Sequence, residues 1–167
     1  MTLDELNALP RDAAERELAN CCGSKRWTSA MAARRPFRSA DQVYRAADEV
    51  WSALDGADWL EAFSHHPRIG QRAAGWARDE QSKTRDASQR TLERLAELNH
   101  EYERKFGHVF LICATGRGAD EMLAEMEQRM TNDPATELRV AAAEQAKITR
   151  LRLEKLLSSL HETSRTR

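Results

Sequence analysis

The chain has 167 residues, 32% of them charged, and a formal net charge of −1. That length suits one domain with a sizeable core. The near balance of charge leaves no global field to favour nucleic acid or an anionic membrane surface, so neither is expected as a partner.

Apolar residues at 41%, with only 7 Gly and 4 Pro, point to a helix-rich protein whose charges sit on solvated faces. Three cysteines, Cys21, Cys22 and Cys113, two of them adjacent, make a poor disulfide framework and fit a reducing, cytoplasmic setting. No CxxC and no Cys/His cluster at zinc spacing occurs, so no metal is expected. The opening residues do not read as a signal peptide, and no apolar run approaches the ~20 residues of a membrane span. The end, Thr166-Arg167, lacks the receptor-read peroxisomal tripeptide.

Thr2 and Glu5 form a capping box for a first helix carrying Leu3, Leu6 and Leu9. Pro10 opens a second, with Leu18 and Ala19 on its apolar side. Cys22-Gly23-Ser24 reads as a break, and a short helix from about Trp27 to Arg34 stops before Pro36. Arg34-Arg35 is most simply a solvated helix end. Ser39 and Gln42 form another capping box, followed by Val43, Ala47, Val50, Trp51 and Leu54 at helical spacing, with Asp55-Gly56 as the stop. Asp58 caps a short helix carrying Trp59, Leu60 and Phe63.

That helix runs into Phe63-Ser64-His65-His66-Pro67-Arg68-Ile69-Gly70. Pro67 fixes its own φ and pushes His66 out of the α region, so His66 sits on a rigid corner just past a helix end. From Gln71 to Lys83 the pattern is weak. Thr84 or Asp86 starts a clearer helix with Leu92, Leu95, Leu98, Tyr102 and Phe106 on one side and Gly107 as its C-terminal cap. Val109 to Cys113 is a short apolar run with no strand to pair with, read as an extended buried segment. Gly116-Arg117-Gly118 is a turn. Asp120 starts a helix with Met122, Leu123, Met126 and Met130 as core filler. Pro134 opens the last helix, which runs to about Ser159 on a stripe of Leu138, Ala141, Ile148, Leu151, Leu156 and Leu160. The tail 161–167 is expected to fray. The whole is expected to be all-α: one compact domain of about eight or nine helices over 1–167.

Three places could carry chemistry. His66 exchanges a proton near neutral pH, though a lone histidine is more often a satisfied structural residue; its neighbour His65 competes with it and could as easily face solvent. Glu80-Gln81 offers acceptors and donors to a polar ring, against the plainer reading of a solvated surface pair. Arg152 falls inside the arc set by Ile148, Leu151 and Leu156, where a guanidinium needs an anion or carbonyl partner, internal or bound. Arg150 lies nearer the edge. Lys147 and Arg150 beside Glu144 and Glu154 read as surface pairing worth little. Two other readings compete: an adaptor whose Met122, Met126 and Met130 side binds a partner helix, and a metal hydrolase using His65, His66 and an acidic residue.

His66-Pro67-Arg68-Ile69-Gly70, Glu80-Gln81, Phe106 to Ala114 and Leu151-Arg152-Leu153 come in the order of one family's motifs. The chain resembles 2-oxo-4-hydroxy-4-carboxy-5-ureidoimidazoline (OHCU) decarboxylases from about Leu3 to Leu157. The resemblance implies an all-α, usually dimeric enzyme without cofactor that converts this small molecule to (S)-allantoin, the last step from urate. It matches His66 and Glu80 to the catalytic pair. It matches Pro67, Gln81 and Arg152 to substrate contacts, with Phe110, Leu111, Ile112, Cys113 and Ala114 offering backbone hydrogen bonds. Ala77 stands where the family often carries a small hydroxyl residue, so a contact there is missing or made by backbone. The segment between His66 and Glu80 also looks short beside the animal enzymes.

Overall fold

The computed structural model describes residues 1–70, 80 and 88–158. Among them are eight helices and no strand, the all-α architecture expected. They are α1 (Leu3–Ala8), α2 (Arg11–Ala19), α3 (Lys25–Ala33), α4 (Ala40–Ser52), α5 (Gly56–Phe63), α6 (Gln89–Phe106), α7 (Ala119–Arg129) and α8 (Pro134–Ser158). The expectations for Gln71 to Lys83 other than Glu80, for Leu160 and for the tail 161–167 lie outside the described residues, and the helix expected from Thr84 or Asp86 instead starts at Gln89. None of the described helices is long and apolar enough to cross a membrane. The chain groups into two compact units: Met1–Glu61 with Ala146–Arg167, and Ala62–Gln145.

In the first unit the capping rules act largely as read. Thr2 Oγ1 accepts from the Glu5 N–H at 3.0 Å, and Glu5 Oε2 accepts from the Thr2 N–H at 2.7 Å. Ser24, read only as part of a break, caps α3 through the Trp27 N–H at 3.2 Å, so that helix starts at Lys25 rather than near Trp27. Ser39 caps α4, but the Gln42 side chain accepts from Arg38 rather than Ser39, so only half of the expected box exists. Helix α4 ends at Ser52, before Asp55-Gly56; Asp55, not Asp58, caps α5 by accepting from the Asp58 N–H at 3.1 Å. Ala14 rather than Ala19 joins Leu18 on the buried side of α2. Arg35 is no solvated helix end: Nη1 donates to the carbonyls of Leu6 and Leu9, each at 2.7 Å, where α1 leaves its last oxygens without helical partners.

The second unit carries the His-Pro corner. Its core holds Ile69, Leu95, Leu98, Tyr102, Phe110, Ile112, Met122 and Met126. A fully buried Leu, Met or Phe contributes roughly 1.5–3 kcal/mol, and Met122 and Met126 are completely buried. That removes the exposed methionine face an adaptor would need. Helix α6 starts from Ser88, whose Oγ accepts from the Thr91 N–H, and closes on Gly107 at φ +79°, a left-handed cap that glycine enters without steric cost. Beyond it, Phe110, Leu111, Ile112 and Ala114 are buried in a run that is neither helix nor strand, the one read from the sequence as an extended buried segment. The run ends in a turn closed by the Arg117 N–H to Ala114 O bond at 3.0 Å.

The residues of α8 divide differently from the expected stripe. Leu151 is 37% exposed, while Leu153 is fully buried. Four polar residues, Glu137, Glu144, Gln145 and Thr149, share the buried arc with Ala141, Ile148 and Leu156. Leu151 lies just off the flank of that arc.

Candidate active site

Helix α5 delivers the corner. Its chain turns through His65 N–H to Ala62 O (3.2 Å) and His66 N–H to Phe63 O (3.1 Å), and Pro67 then offers no N–H to continue the ladder. Phe63 is fully buried, anchoring the start of the turn. After it, Arg68 makes a two-pronged bond to Glu103 of α6, Nε to Oε1 at 2.6 Å and Nη2 to Oε2 at 2.9 Å. The guanidinium holds the Glu103 carboxyl below the usual carboxylate range. Ile69 is buried, and its carbonyl accepts from Asn99 Nδ2 at 3.0 Å. Gly70 turns the chain at φ +85°. His66 therefore stands on a segment fixed at both ends.

His65 is exposed and His66 is half-buried. The His66 Nε2 lies 2.6 Å from Oε1 of Gln145, a fully buried residue of α8. A carboxamide oxygen carries no proton, so Nε2 is the donor in this bond. The adjacent imidazoles thus have different surroundings, which disfavours a metal held by both.

Glu80 is helical and half-buried. Ala77 and Gln81 lie outside the described residues. Pro67 is half-buried beside His66.

The extended run is held from behind by a buried charge network. Arg129 Nη1 donates to Leu111 O at 2.8 Å, and its guanidinium lies over the Phe110 ring, 4.3 Å from the centroid. Arg129 is bound in turn by Glu137, Nε to Oε1 at 2.7 Å. Glu137 also accepts from the Tyr102 hydroxyl at 2.6 Å and from Asn132 Nδ2 at 3.0 Å. Burial, then the Glu137 carboxylate, push the Tyr102 phenol up, so it stays a proton donor. Within the run, the Cys113 N–H is engaged by Glu144 Oε1 at 3.3 Å. Arg117 sits 3.9 Å from the same carboxylate and pairs with Glu125. Glu144 is therefore a buried carboxylate and not the surface residue expected, whereas Arg150 and Glu154 do form an exposed pair. His108, at the start of the run, packs between the rings of Phe63, Tyr102 and Phe106.

Arg152 belongs to the first unit, half-buried on α8. Its charge reaches Cys21 and Cys22, whose thiols burial nonetheless pushes up to about 12 and about 11.

His66, Pro67, Glu80 and the Phe110 to Ala114 run thus fall in one compact unit, and Arg152 in the other. Gln145 was passed over in the sequence, and Glu144 was read there only as part of a surface pairing. A signal for Gln145 was there: it sits four residues after Ala141 and three before Ile148, a polar side chain on an apolar arc.

The family model described as OHCU decarboxylase matches residues 7–154. The chain is 40% identical over 153 residues to the uric acid degradation bifunctional protein TTL of Arabidopsis thaliana, covering 86% of this chain and 47% of that protein. It therefore spans about half the length of that relative. It is 27% identical over 164 residues to the 2-oxo-4-hydroxy-4-carboxy-5-ureidoimidazoline decarboxylase of Haloferax volcanii, covering 95% and 98%. Among solved structures, an OHCU decarboxylase crystallised in the presence of (S)-allantoin superposes with a TM-score of 0.79 at 41% identity, over 85% of this chain and 97% of that one.

Proposed function

The chain belongs to the OHCU decarboxylase family, and we propose that it decarboxylates 2-oxo-4-hydroxy-4-carboxy-5-ureidoimidazoline to (S)-allantoin. The observation that carries this reading is the fixed corner: the motif histidine the family uses stands half-buried, its ring held by a buried carboxamide at 2.6 Å. Residues 1–167 act as one domain in this proposal.

The chemistry asks little of a cofactor. The substrate's carbon 4 bears the carboxylate and a hydroxyl, and carbon 5 bears the ureido group. When the bond to CO₂ breaks, its electron pair flows toward the ring's imine. The imine nitrogen takes up a proton, the hydroxyl oxygen becomes a carbonyl as it loses its own, and carbon 5 gains one. The net change is loss of CO₂ and uptake of one proton. The substrate is its own electron sink, so the protein positions, stabilises charge and protonates one face.

His66 serves as general acid, a transfer typically worth ~10²–10⁴-fold. Glu80 orients the substrate hydroxyl or holds His66 protonated. Pro67, Gln81 and backbone groups of Phe110 to Ala114 hold the ring, with position 77 contributing backbone only. Arg152 is assigned the substrate-facing guanidinium on the family resemblance alone. The three cysteines are free thiols, which supports a cytoplasmic site of action, and the resemblance supports a homodimer. Sedimentation at twice the 19.0 kDa chain mass tests the dimer; sedimentation as a single chain contradicts it.

The test of the site is direct. With substrate freshly generated from urate, His66→Ala and Glu80→Ala lose turnover while the far-UV dichroism stays that of the parent. Full activity in either variant overturns the role given to that residue.

A further inference from the structure

The geometry points to Gln145 as the positioning residue for His66, holding Nε2–H so that the proton exchanged with substrate passes through Nδ1. This rests on the reading of His66 as general acid; the hydrogen bond itself does not. Gln145 is fully buried, and its Oε1 is 2.6 Å from Nε2. An amide oxygen can only accept, so Nε2 keeps its proton in both charge states of the ring. The nitrogen whose protonation changes is then Nδ1.

The neutrality of Gln145 matters. A carboxylate at this place would favour the imidazolium and raise its proton affinity, making the acid weaker. A carboxamide orients the ring while perturbing its titration far less. The preceding residue, Glu144, engages the Cys113 N–H. One stretch of α8 thus fixes both the imidazole and the extended run. A carboxamide that served only the core would leave the His66 ring signals indifferent to its replacement.

The experiment uses the full chain with 15N-histidine and reads the ring N–H signals, His65 acting as the exposed internal control. In the parent, the His66 Nε2–H resonance is protected from solvent exchange. Gln145→Leu loses that protection by at least about tenfold and lowers kcat by on the order of 10²-fold with KM little changed. Gln145→Glu keeps the resonance protected and raises the proton affinity of His66 by about tenfold or more. The other charged groups of this region, Glu80, Glu144, Arg117, the Arg68–Glu103 pair and His108, are the same in every variant, so the difference reports position 145. If Gln145→Leu does not fold, the near-isosteric Gln145→Glu carries the test. Unchanged His66 ring signals and titration in the variants overturn the inference. If the ring signals change as stated while turnover is untouched, the anchoring stands and the general-acid role proposed above falls.

Discussion

At the scale of single residues, the corner is fixed by what surrounds His66 more than by His66 itself. Proline after it, glycine at φ +85° four residues on, and the two-pronged Arg68–Glu103 bond leave the backbone few alternatives. That bond gives a pH signature. The Glu103 carboxyl is held below its ordinary range by Arg68, so in the folded state it releases its proton more readily than when unfolded. Its contribution is present above the unfolded carboxylate value and is lost as pH falls through the lower folded one. Arg68→Ala should therefore lower stability modestly above about pH 4.5, leave it little changed at pH 3, and so flatten the acid limb of the stability-against-pH curve. Urea unfolding of both proteins at pH 3 to 7 checks this; parallel curves contradict it. The corner at His66 was legible in the sequence because Pro67 marks it. Gln145 was not, because attention went to charged residues on the α8 wheel and a neutral amide on the same arc was passed over.

At the scale of elements, α8 is the informative one. A single helix buries Glu137 for the charge network, Glu144 for the extended run, Gln145 for His66 and Thr149 for the Cys21 carbonyl. Each of these buried groups has its partner, as burial of polar atoms demands. The Arg129–Glu137 pair is almost wholly out of water, with side-chain exposures of 6% and 0%. Removing one partner strands the other, at about 3–5 kcal/mol. Glu137→Ala should thus lower stability by that amount in denaturant unfolding and loosen the Phe110 to Leu111 backbone that Arg129 holds; a loss under about 1 kcal/mol would refute the account of the network. Helix boundaries were legible where a hydroxyl cap or glycine stop exists, as at Thr2, Ser39 and Gly107. They were misread at Asp55, where one carboxylate caps the next helix after the previous one has already ended. The buried charges of α7 and α8 were illegible. An apolar count has no means of seeing that Arg129 and Glu137 satisfy each other.

At the scale of the molecule, the proposed decarboxylation, in which the substrate is its own electron sink, asks the protein only to bring an acid, acceptors and backbone donors to a small ring. The all-α class followed from composition and capping, since no second strand candidate existed to pair with the Val109 to Cys113 run. The order of motifs along the chain, more than any one of them, pointed to the family now shown by the match over residues 7–154. Handedness of the product is the property only a shaped site can impose, because protonation of the ring in free solution favours neither face. The most direct measurement generates the unstable intermediate from urate in situ, adds the protein, and follows circular dichroism of the allantoin formed. The account predicts rapid growth of the (S)-enantiomer in proportion to protein, abolished in His66→Ala. Racemic product at the rate of buffer alone, or undiminished (S)-allantoin formation by His66→Ala, would contradict it.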